Sequence, residues 1–322
     1  MHCTLFIPNF LLEESPSSEN RLAAAEKLIA RGRRKRKASI SREAWLCERF
    51  QVSKQRDWPV APYTLLADGG VPGGAFWMRA DPVHLSVARD SLGFDGAALD
   101  LSRSEADALT GTLNRHFGKT LVFRSLRPER WYFSLPEAPE LATTPPWAAR
   151  GTAIGDKLPS GADAMRFRAF MNEVQMLLHE HPVNTEREAH GVPAVNSVWF
   201  WGGGILDAPR AQPFSIVLAE DPLARGLALA ARISARQLPA NAGVMLATLP
   251  AKGVALIVLD SASNAALERD WFEPLLAALE HGRIGMLSLV LAAKDSLLEV
   301  ETVRSDLRYF WRMRKPLESY LA

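Results

Sequence analysis

Residues 179 to 204 hold the densest group of side chains suited to binding a ligand. Three of the seven histidines fall within twelve residues there, and Asn184 and Arg187 lie among them, three residues apart. On a helix, that spacing places two side chains on one face. An amide beside a planar guanidinium suits a carboxylate or a phosphate group. The segment therefore predicts a site for a small anion.

A strand with a glycine-rich end follows. Residues 195 to 201 alternate, so that Asn196 faces the opposite side from two tryptophans. Gly202, Gly203 and Gly204 come next. Because glycine has no side chain, backbone N–H groups at such a turn can approach a ligand closely. We therefore expect the three glycines to line the same site.

Each of these features also has a purely structural interpretation. Histidines near a helix end often satisfy the carbonyl groups of that helix, and paired tryptophans are more often part of a core than a stacking platform. The triple glycine lacks the GxGxxG spacing of a dinucleotide-binding turn. The residue pattern alone leaves both interpretations open.

Metal-ligand candidates are few and scattered. Asp68 follows a predicted strand at residues 63 to 67, and His181 belongs to the segment described above. His84 lies three residues after Asp81, and such a pair at a strand end could serve as an acid–base couple. Both aspartates could equally fix turns. The two cysteines form no CxxC pair and no HExxH motif occurs, which excludes the common zinc motifs.

The basic residues are concentrated in one run. The chain carries 38 Lys and Arg against 36 Asp and Glu, and six basic residues lie in the seven-residue run Arg31–Lys37. The remainder is mildly acidic, so a broad nucleic-acid-binding face is not expected. The run itself is either a solvated segment or a site for phosphate polymers. A second basic segment at residues 308 to 315 is expected to pack onto the body through Phe310 and Trp311.

Length and composition indicate an ordinary globular protein. Of the 322 residues, 48% are apolar and 23% are charged, which suits one large or two medium domains. No apolar run reaches the roughly 20 residues needed to cross a bilayer. The first residues lack the basic segment of a signal peptide. We therefore expect a cytoplasmic protein with no membrane partner.

The apolar periodicity predicts an α/β fold in three regions. Residues 1–60 are expected to form a helical module, residues 61–140 a mixed α+β region and residues 141–322 an α/β region. The last third alternates strands with helices, which favours a mostly parallel sheet with covering helices. Strands are predicted at residues 3–7, 63–67, 75–79, 120–124, 130–135, 195–201, 214–219, 243–248, 254–259 and 286–291, and helices at 20–31, 41–50, 102–117, 162–179, 222–236 and 265–280.

The stretch from residue 181 to residue 204 resembles the archaeal-type, cofactor-independent phosphoglycerate mutases of the alkaline phosphatase superfamily. The resemblance rests on the order HPVNxxRxxxGxPAxNxxWxWGxG and extends over roughly residues 75 to 235. In such mutases this stretch helps to hold phosphoglycerate. The resemblance implies an alkaline-phosphatase-like fold and four side chains that contact a phosphate or carboxylate group: Asn184, Arg187, Asn196 and Arg79.

A second resemblance runs nearly end to end. The segments RADPVHL at residues 79–85, WYFSL, WFWGGG and YFWRMR at residues 309–314 are similar to proteobacterial regulatory proteins of the RpfE type. This resemblance implies a regulatory role without implying a particular chemistry. The expected partners are a small phosphorylated metabolite and, as a further option, another protein.

The chain departs from the mutase pattern in the residues that catalysis needs. An alkaline-phosphatase-type site uses several Asp and His ligands for two divalent ions and a Ser or Thr nucleophile. After Gly204 there is one histidine, His281, and no DxxGH motif. The sequence therefore predicts a non-catalytic or degenerate relative that binds a small phosphorylated metabolite in regulation and needs no cofactor. An active mutase or phosphotransferase with Mn²⁺ or Zn²⁺, and a nucleic-acid-binding regulator acting through residues 31–37, are the alternatives.

Overall fold

The computed structural model describes residues 1–10, 21–88, 91–93, 99–150, 154–260, 263–293 and 296–321. Its strands are β1 (His2–Ile7), β2 (Arg33–Ala38), β3 (Phe76–Val83), β4 (Ser86–Ala88), β5 (Ser91–Gly93), β6 (Arg124–Arg127), β7 (Arg130–Leu135), β8 (Ser197–Ile205), β9 (Ile216–Ala219), β10 (Ser234–Arg236), β11 (Val254–Val258), β12 (Met286–Ala292) and β13 (Ser296–Val303). Its helices are α1 (Ala23–Arg31), α2 (Arg42–Arg49), α3 (Val60–Ala67), α4 (Arg103–Phe117), α5 (Pro146–Ala149), α6 (Ala164–His179), α7 (Pro182–Ala189), α8 (Pro222–Ala230), α9 (Ala242–Thr248), α10 (Asn264–Leu267), α11 (Glu273–Glu280) and α12 (Glu318–Leu321).

The chain divides into two compact units. The terminal unit combines Met1–Val52 with Pro209–Ala322, and the inserted unit is Ser53–Ala208. These boundaries differ from the three predicted regions. The reason is that β1 and β2 hydrogen-bond to strands from the last third of the chain, so the first residues are part of a sheet and not a separate helical module.

The terminal unit is built on a seven-stranded sheet in the order β10-β9-β11-β1-β12-β13-β2. The strands from β10 to β12 in this order run parallel, whereas β13 and β2 are antiparallel to their neighbours. The first strand of the chain therefore lies between two late ones. The fold is α/β with a mixed sheet, and the predicted parallel part is formed by β9, β11 and β12 around β1.

Alternation along β1 joins both layers of the terminal unit. Leu5 belongs to the apolar cluster that also contains Leu28 of α1 and Leu275 of α11. Phe6 points to the opposite face and stacks on Trp45 of α2, with ring centroids 4.1 Å apart. Each such buried side chain stabilises the fold by roughly 1.5–3 kcal/mol. A strand buried on both faces explains the continuous apolar run at the start of the sequence.

The inserted unit contains a four-stranded antiparallel sheet in the order β6-β7-β3-β8. One face packs on α4 and α6 through an aromatic core, in which Phe133 lies 5.3 Å from Phe200 between ring centroids. The other face carries Trp77 and Tyr132, which pack on Leu65 of α3. The sheet is therefore enclosed by helices on both sides.

Four predicted elements differ from the structure. The strand predicted at residues 120–124 lies later in the chain, as β6, which begins only at Arg124. The predicted strand at residues 63–67 is part of α3, which is apolar nearly all round and so shows no helical periodicity. The predicted strand at 243–248 is α9, whose start is fixed by the Asn241 side chain accepting the Val244 N–H. The predicted helix at 222–236 ends early, and its last residues form the edge strand β10.

Within the described ranges, no helix has the length and apolar character needed to cross a membrane.

Candidate functional site

Asn184 connects two elements of the inserted unit. Its amide nitrogen donates to the carbonyl oxygens of Leu178 at 2.7 Å and Val195 at 2.8 Å. Its amide oxygen accepts the Val195 N–H at 2.8 Å. The side chain is buried, and these bonds join the end of α6 to the residues that precede β8. Asn184 thus fixes the connection in which the other predicted residues lie.

Asn196 makes a similar pair of bonds to the backbone of Leu85. Its oxygen accepts the Leu85 N–H and its nitrogen donates to the Leu85 carbonyl, both at 2.8 Å. Beside it, Nδ1 of His84 lies 2.8 Å from the carbonyl oxygen of Ala194. These three contacts bind the segment after β3 to the segment before β8. One ring nitrogen of His84 is therefore engaged by the backbone.

Arg187 holds a buried guanidinium at the centre of this region. Its Nε donates to the carbonyl oxygen of Pro193 at 2.8 Å, and its Nη1 donates to the Asp100 carbonyl at 3.0 Å and to Oε1 of Glu105 at 2.8 Å. The residue is 5% exposed. Its Nη2 has no hydrogen-bond partner among the residues that the structure describes. A buried guanidinium with one N–H group that lacks a described partner is a candidate for binding an anionic ligand.

Among the described residues, Glu105 is the carboxylate that pairs with Arg187. It also accepts the Ser102 N–H at 2.7 Å and so completes the capping box of α4. Burial favours the neutral acid, but the hydrogen bonds from Ser102 and Arg187 hold the pKa of Glu105 below its usual value. Glu105 is therefore ionised at neutral pH. It orients the Arg187 guanidinium and leaves some of the N–H donors of that guanidinium unused.

His181 caps α7. Its Nδ1 accepts the Val183 N–H at 3.2 Å, which assigns the ring proton to Nε2, 3.0 Å from Oγ1 of Thr112. Burial, aided by the nearby charge of Arg115, lowers the pKa of His181, so the ring is neutral at pH 7. Both ring nitrogens are engaged within the unit.

Arg79 lies on the face of the sheet opposite the aromatic core and pairs with Asp81. Two bonds of 2.8 Å join the guanidinium to the carboxylate, and Nε1 of Trp201 donates to the same carboxylate at 2.7 Å. The guanidinium also lies over the rings of Tyr132 and Trp201, 5.3 and 5.1 Å from their centroids. Burial raises the pKa of Asp81, and Arg79 opposes that effect. The pair lies within β3, and the Trp201 bond links it to β8.

Asp68 is enclosed by donors at the end of α3. Arg130 donates two bonds of 2.8 Å and the Tyr132 hydroxyl donates one of 2.7 Å. Burial favours the neutral acid, yet the bonds from Arg130 and Tyr132 hold the pKa of Asp68 below its usual value. The structure does not bring Asp68 together with His84 or His181 in a metal-binding group.

The three glycines of β8 lie against the chain itself. A Cβ atom on Gly202, whose φ is +65°, would lie 2.9 Å from Cβ of Val60, and one on Gly203 would lie 2.7 Å from Cζ of Phe76. A Cβ on Gly204 would collide with Pro59. These glycines allow β8 to approach the start of α3 and the side chains of β3. Ligand binding at these positions, as at Asn184, Asn196 and Arg79, stays a prediction.

A second polar cluster lies at the carboxyl ends of the parallel strands in the terminal unit, the edge where open α/β sheets usually bind ligands. Asp221 follows β9 and Asp260 follows β11. The Arg42 guanidinium contacts Asp221 at 3.1 Å, Asp260 at 3.6 Å and Glu43 at 3.1 Å. The sequence analysis did not identify this cluster. Its available signal was Asp221 before Pro222, a pattern typical of a helix start after a strand.

The charges of this cluster do not balance. Three carboxylates contact one guanidinium, and Oε2 of Glu43 is buried with no described hydrogen-bond partner. Burial raises the pKa of Asp260, while Arg42 opposes the shift and Asp221 adds to it. Arg42 supplies the positive charge that a metal ion would bring. Among the described residues, no three His, Cys, Asp or Glu side chains converge to hold a metal, so this donor set does not fit a two-metal centre.

The fold is shared with a solved structure. The PH0037 protein from Pyrococcus horikoshii superimposes with a TM-score of 0.56 over 94% of this chain and 87% of its own, at 11% sequence identity. At that identity the match defines the architecture: a mixed α/β fold with one mixed sheet and a second, smaller sheet.

Sequence similarity defines the class more closely. The chain is 43% identical over 61 residues to the 2,3-bisphosphoglycerate-independent phosphoglycerate mutase of Methanothrix thermoacetophila, and 33% identical over 125 residues to that of Methanosarcina barkeri. The aligned stretches cover 19% and 37% of this chain, but only 16% and 30% of those mutases. No family model matches the chain. The chain is therefore related to the cofactor-independent phosphoglycerate mutases, and membership of the RpfE-type family stays a prediction.

Proposed function

We propose that this protein binds a small phosphorylated acid in its inserted unit, at Arg187. The observation that carries the proposal is the buried guanidinium whose Nη2 has no described partner. Glu105 and two carbonyl oxygens hold the group in place, so a ligand oxygen would meet a donor that is already oriented. The relatives named above act on phosphoglycerate, which combines a phosphate and a carboxylate and suits such a donor.

The regulatory, non-catalytic form of this proposal rests on the terminal unit. At the carboxyl edge of its sheet, Arg42 neutralises part of the charge that Asp221 and Asp260 would offer to a metal ion. A binding protein that has lost the two-metal reaction would retain the fold and the anion site while its carboxylates pair internally. No cofactor is required for binding in this form.

A metal-dependent phosphoglycerate mutase or phosphotransferase is the second candidate. The names of the relatives support it directly. In that case the protein would interconvert phosphoglycerates, and binding or turnover would depend on the metal.

A thermal unfolding experiment with 3-phosphoglycerate separates the candidates. A ligand present at about 100 times its dissociation constant stabilises the folded state by roughly 2.7 kcal/mol, which shifts the melting temperature measurably. The metabolite-binding proposal predicts a shift in EDTA that Arg187→Lys reduces, because lysine keeps the charge but not the fork of donors. Arg56→Lys, a substitution at an exposed position, is the matched control and should leave the shift unchanged.

The other outcomes are equally informative. A shift that requires Mn²⁺, together with phosphoglycerate interconversion, would favour the enzyme and contradict the metal-free form. The absence of a shift with and without metal would contradict both candidates.

A further inference from the structure

Two basic segments from opposite ends of the chain form one surface in the terminal unit. We call residues 31–37 and 304–315 together the basic surface. Nη1 of Arg312 donates to the carbonyl oxygen of Arg31 at 2.8 Å, and Nη1 of Arg31 donates to the Leu307 carbonyl at 3.2 Å. These reciprocal bonds hold the turn after β13 beside the start of β2.

The contact continues along β2. The Arg34 guanidinium lies over the ring of Tyr320, 5.2 Å from its centroid, and Nη2 of Arg36 donates to the Leu321 carbonyl at 3.0 Å. The end of the chain therefore runs back beside the strand. Arg34 and Arg36 share the face of β2 that meets the chain end, whereas Arg33 and Lys35 point to the opposite face, so the basic surface wraps around this edge of the sheet. The two segments are far apart in the sequence and meet only in the fold.

The charge of the basic surface is strongly one-sided. Its two segments contain 11 of the 38 Lys and Arg residues and one acidic residue, Asp306, which is buried as the cap of a 3₁₀ turn. The rest of the chain has 27 basic and 35 acidic residues. The two segments thus carry a formal charge of about +10 in a protein of net charge +2, and Glu299 and Glu301 of the neighbouring strand β13 offset part of it. Eight of the 11 basic residues are arginine, which binds phosphate through two parallel bonds.

The strand β2 is the edge of the seven-stranded sheet, and all six of its residues are exposed. At about 3.3 Å per residue it forms a straight track of about 20 Å. The side chains of Arg33 and Lys35 lie opposite Glu301 and Glu299 of β13 but form no ion pair or hydrogen bond within the described ranges, so both are available to a ligand. Lys37 pairs with Glu299 at 2.8 Å.

Aromatic rings lie at one end of this track. Phe310, Trp311 and Met313 are 77%, 63% and 81% exposed, so the expectation that the first two pack onto the body is wrong. The Trp311 ring contacts the Tyr309 ring at 5.2 Å, and Arg312 lies over Tyr309 at 4.7 Å. Large exposed apolar groups beside strong charge mark an interaction site.

We propose that the basic surface binds single-stranded nucleic acid. The phosphates would follow Arg33, Lys35 and the arginines of residues 304–315, and bases would stack on Trp311 and Phe310. Basic tracks interleaved with exposed aromatic rings are the general solution for single strands, because every base has a face that can stack. This activity is separate from the metabolite site proposed above.

The alternation within the aromatic segment favours this ligand over an anionic membrane. Arg312 and Arg314 flank Met313, and Lys315 follows. At a bilayer these cations would be directed to the headgroups immediately around the inserted rings, whereas the basic residues continue along β2 for about 20 Å. On a nucleic acid, the same charges lie at the level of the phosphates beside the stacked bases.

Fluorescence anisotropy with a labelled 15-nucleotide oligo-dT and the full-length protein tests the proposal. Single strands release about 0.7 counterions per contacted phosphate, so about five contacts weaken binding about 100-fold when salt rises from 50 to 200 mM. The double variant R33E/K35E is expected to lose at least tenfold in affinity. Trp311→Ala should lose about tenfold, and Trp311→Phe should retain most of the affinity.

The matched control reverses two charges elsewhere in the terminal unit. Arg236 lies on β10, at the opposite edge of the sheet, and Lys252 lies before β11; both are exposed. R236E/K252E changes the net charge equally and should leave affinity within twofold. Equal losses in both double variants, or no binding at 50 mM salt, would overturn the proposal. Binding to vesicles with 30% phosphatidylserine but not to oligo-dT would overturn it in favour of a membrane surface.

Discussion

The Glu105 carboxylate lies 2.8 Å from Nη1 of Arg187 while it closes the capping box at the start of α4. One acidic side chain therefore serves two elements: it fixes the first turn of α4 and it orients a guanidinium of α7. The arrangement leaves Nη2 of Arg187 as a positioned, buried donor without a described partner. The metabolite-binding proposal depends on this relationship.

Replacing Glu105 by alanine should destabilise the protein by about 2 kcal/mol or more. The variant loses a helix cap and leaves the buried Arg187 without its carboxylate. Urea unfolding measures the change. Asp107→Ala on the same helix is the control, because Asp107 is about half exposed and pairs with Arg103 at the surface; its loss should be less than half as large. Equal losses would show that the Glu105–Arg187 contact contributes nothing specific.

Gly204→Ala should destabilise the inserted unit by about 1–3 kcal/mol, because the new Cβ collides with Pro59 and overpacking carries that cost. Gly74→Ala is the matched control, since a Cβ there meets no atom within 4 Å. Thermal unfolding of both variants checks the expectation. A Gly204→Ala variant as stable as Gly74→Ala would contradict the close approach of β8 to the start of α3.

The pH dependence of stability should reveal Asp68. Its pKa in the folded state is held below the usual value, so the unfolded chain takes up the proton first as pH falls. The stabilisation from Asp68 is present above about pH 4 and is lost progressively below it. Asp68→Asn should therefore be less stable at pH 7 and show a shallower loss of stability towards pH 2. Parallel acid curves for the parent and Asp68→Asn would contradict this assignment.

Arg42→Ala should cost about 3 kcal/mol at pH 7, because it leaves Glu43, Asp221 and Asp260 without their shared cation. Burial raises the pKa of Asp260 and Arg42 opposes that shift, so losing Arg42 raises the pKa of Asp260 further, and protonation of Asp260 then relieves the repulsion. The loss of stability in Arg42→Ala, relative to the parent, should accordingly shrink as pH falls towards 5. Arg269→Ala, which removes an exposed ion pair, is the control and should change little. A deficit independent of pH would contradict the electrostatic role of Arg42.

The local features of the fold could be predicted from the sequence. Ser102 and Glu105 indicated the start of α4, and the capping box is present. The spacing of Asn184 and Arg187 would place both on one face of a helix, and α7 contains both, although no helix was predicted at residues 182–189. The apolar helix α3 could not be separated from a strand, because burial on every side removes the periodicity that distinguishes them.

Partners distant in the chain could not be predicted. Arg187 meets Glu105 across 82 residues, and Arg42 meets Asp221 only because β1 inserts between β11 and β12. Strand order in a sheet of this kind depends on the packing of the whole unit. The same limit applies to the basic surface, whose two halves are contiguous only in the folded protein.

Isothermal titration of 3-phosphoglycerate into the protein in EDTA tests the central claim most directly. We expect a saturable heat that fits one site per chain. Arg187→Lys should weaken the affinity at least tenfold, and Arg56→Lys should leave the affinity unchanged. A heat that appears only after Mn²⁺ is added, or one that Arg187→Lys leaves intact, would contradict the claim.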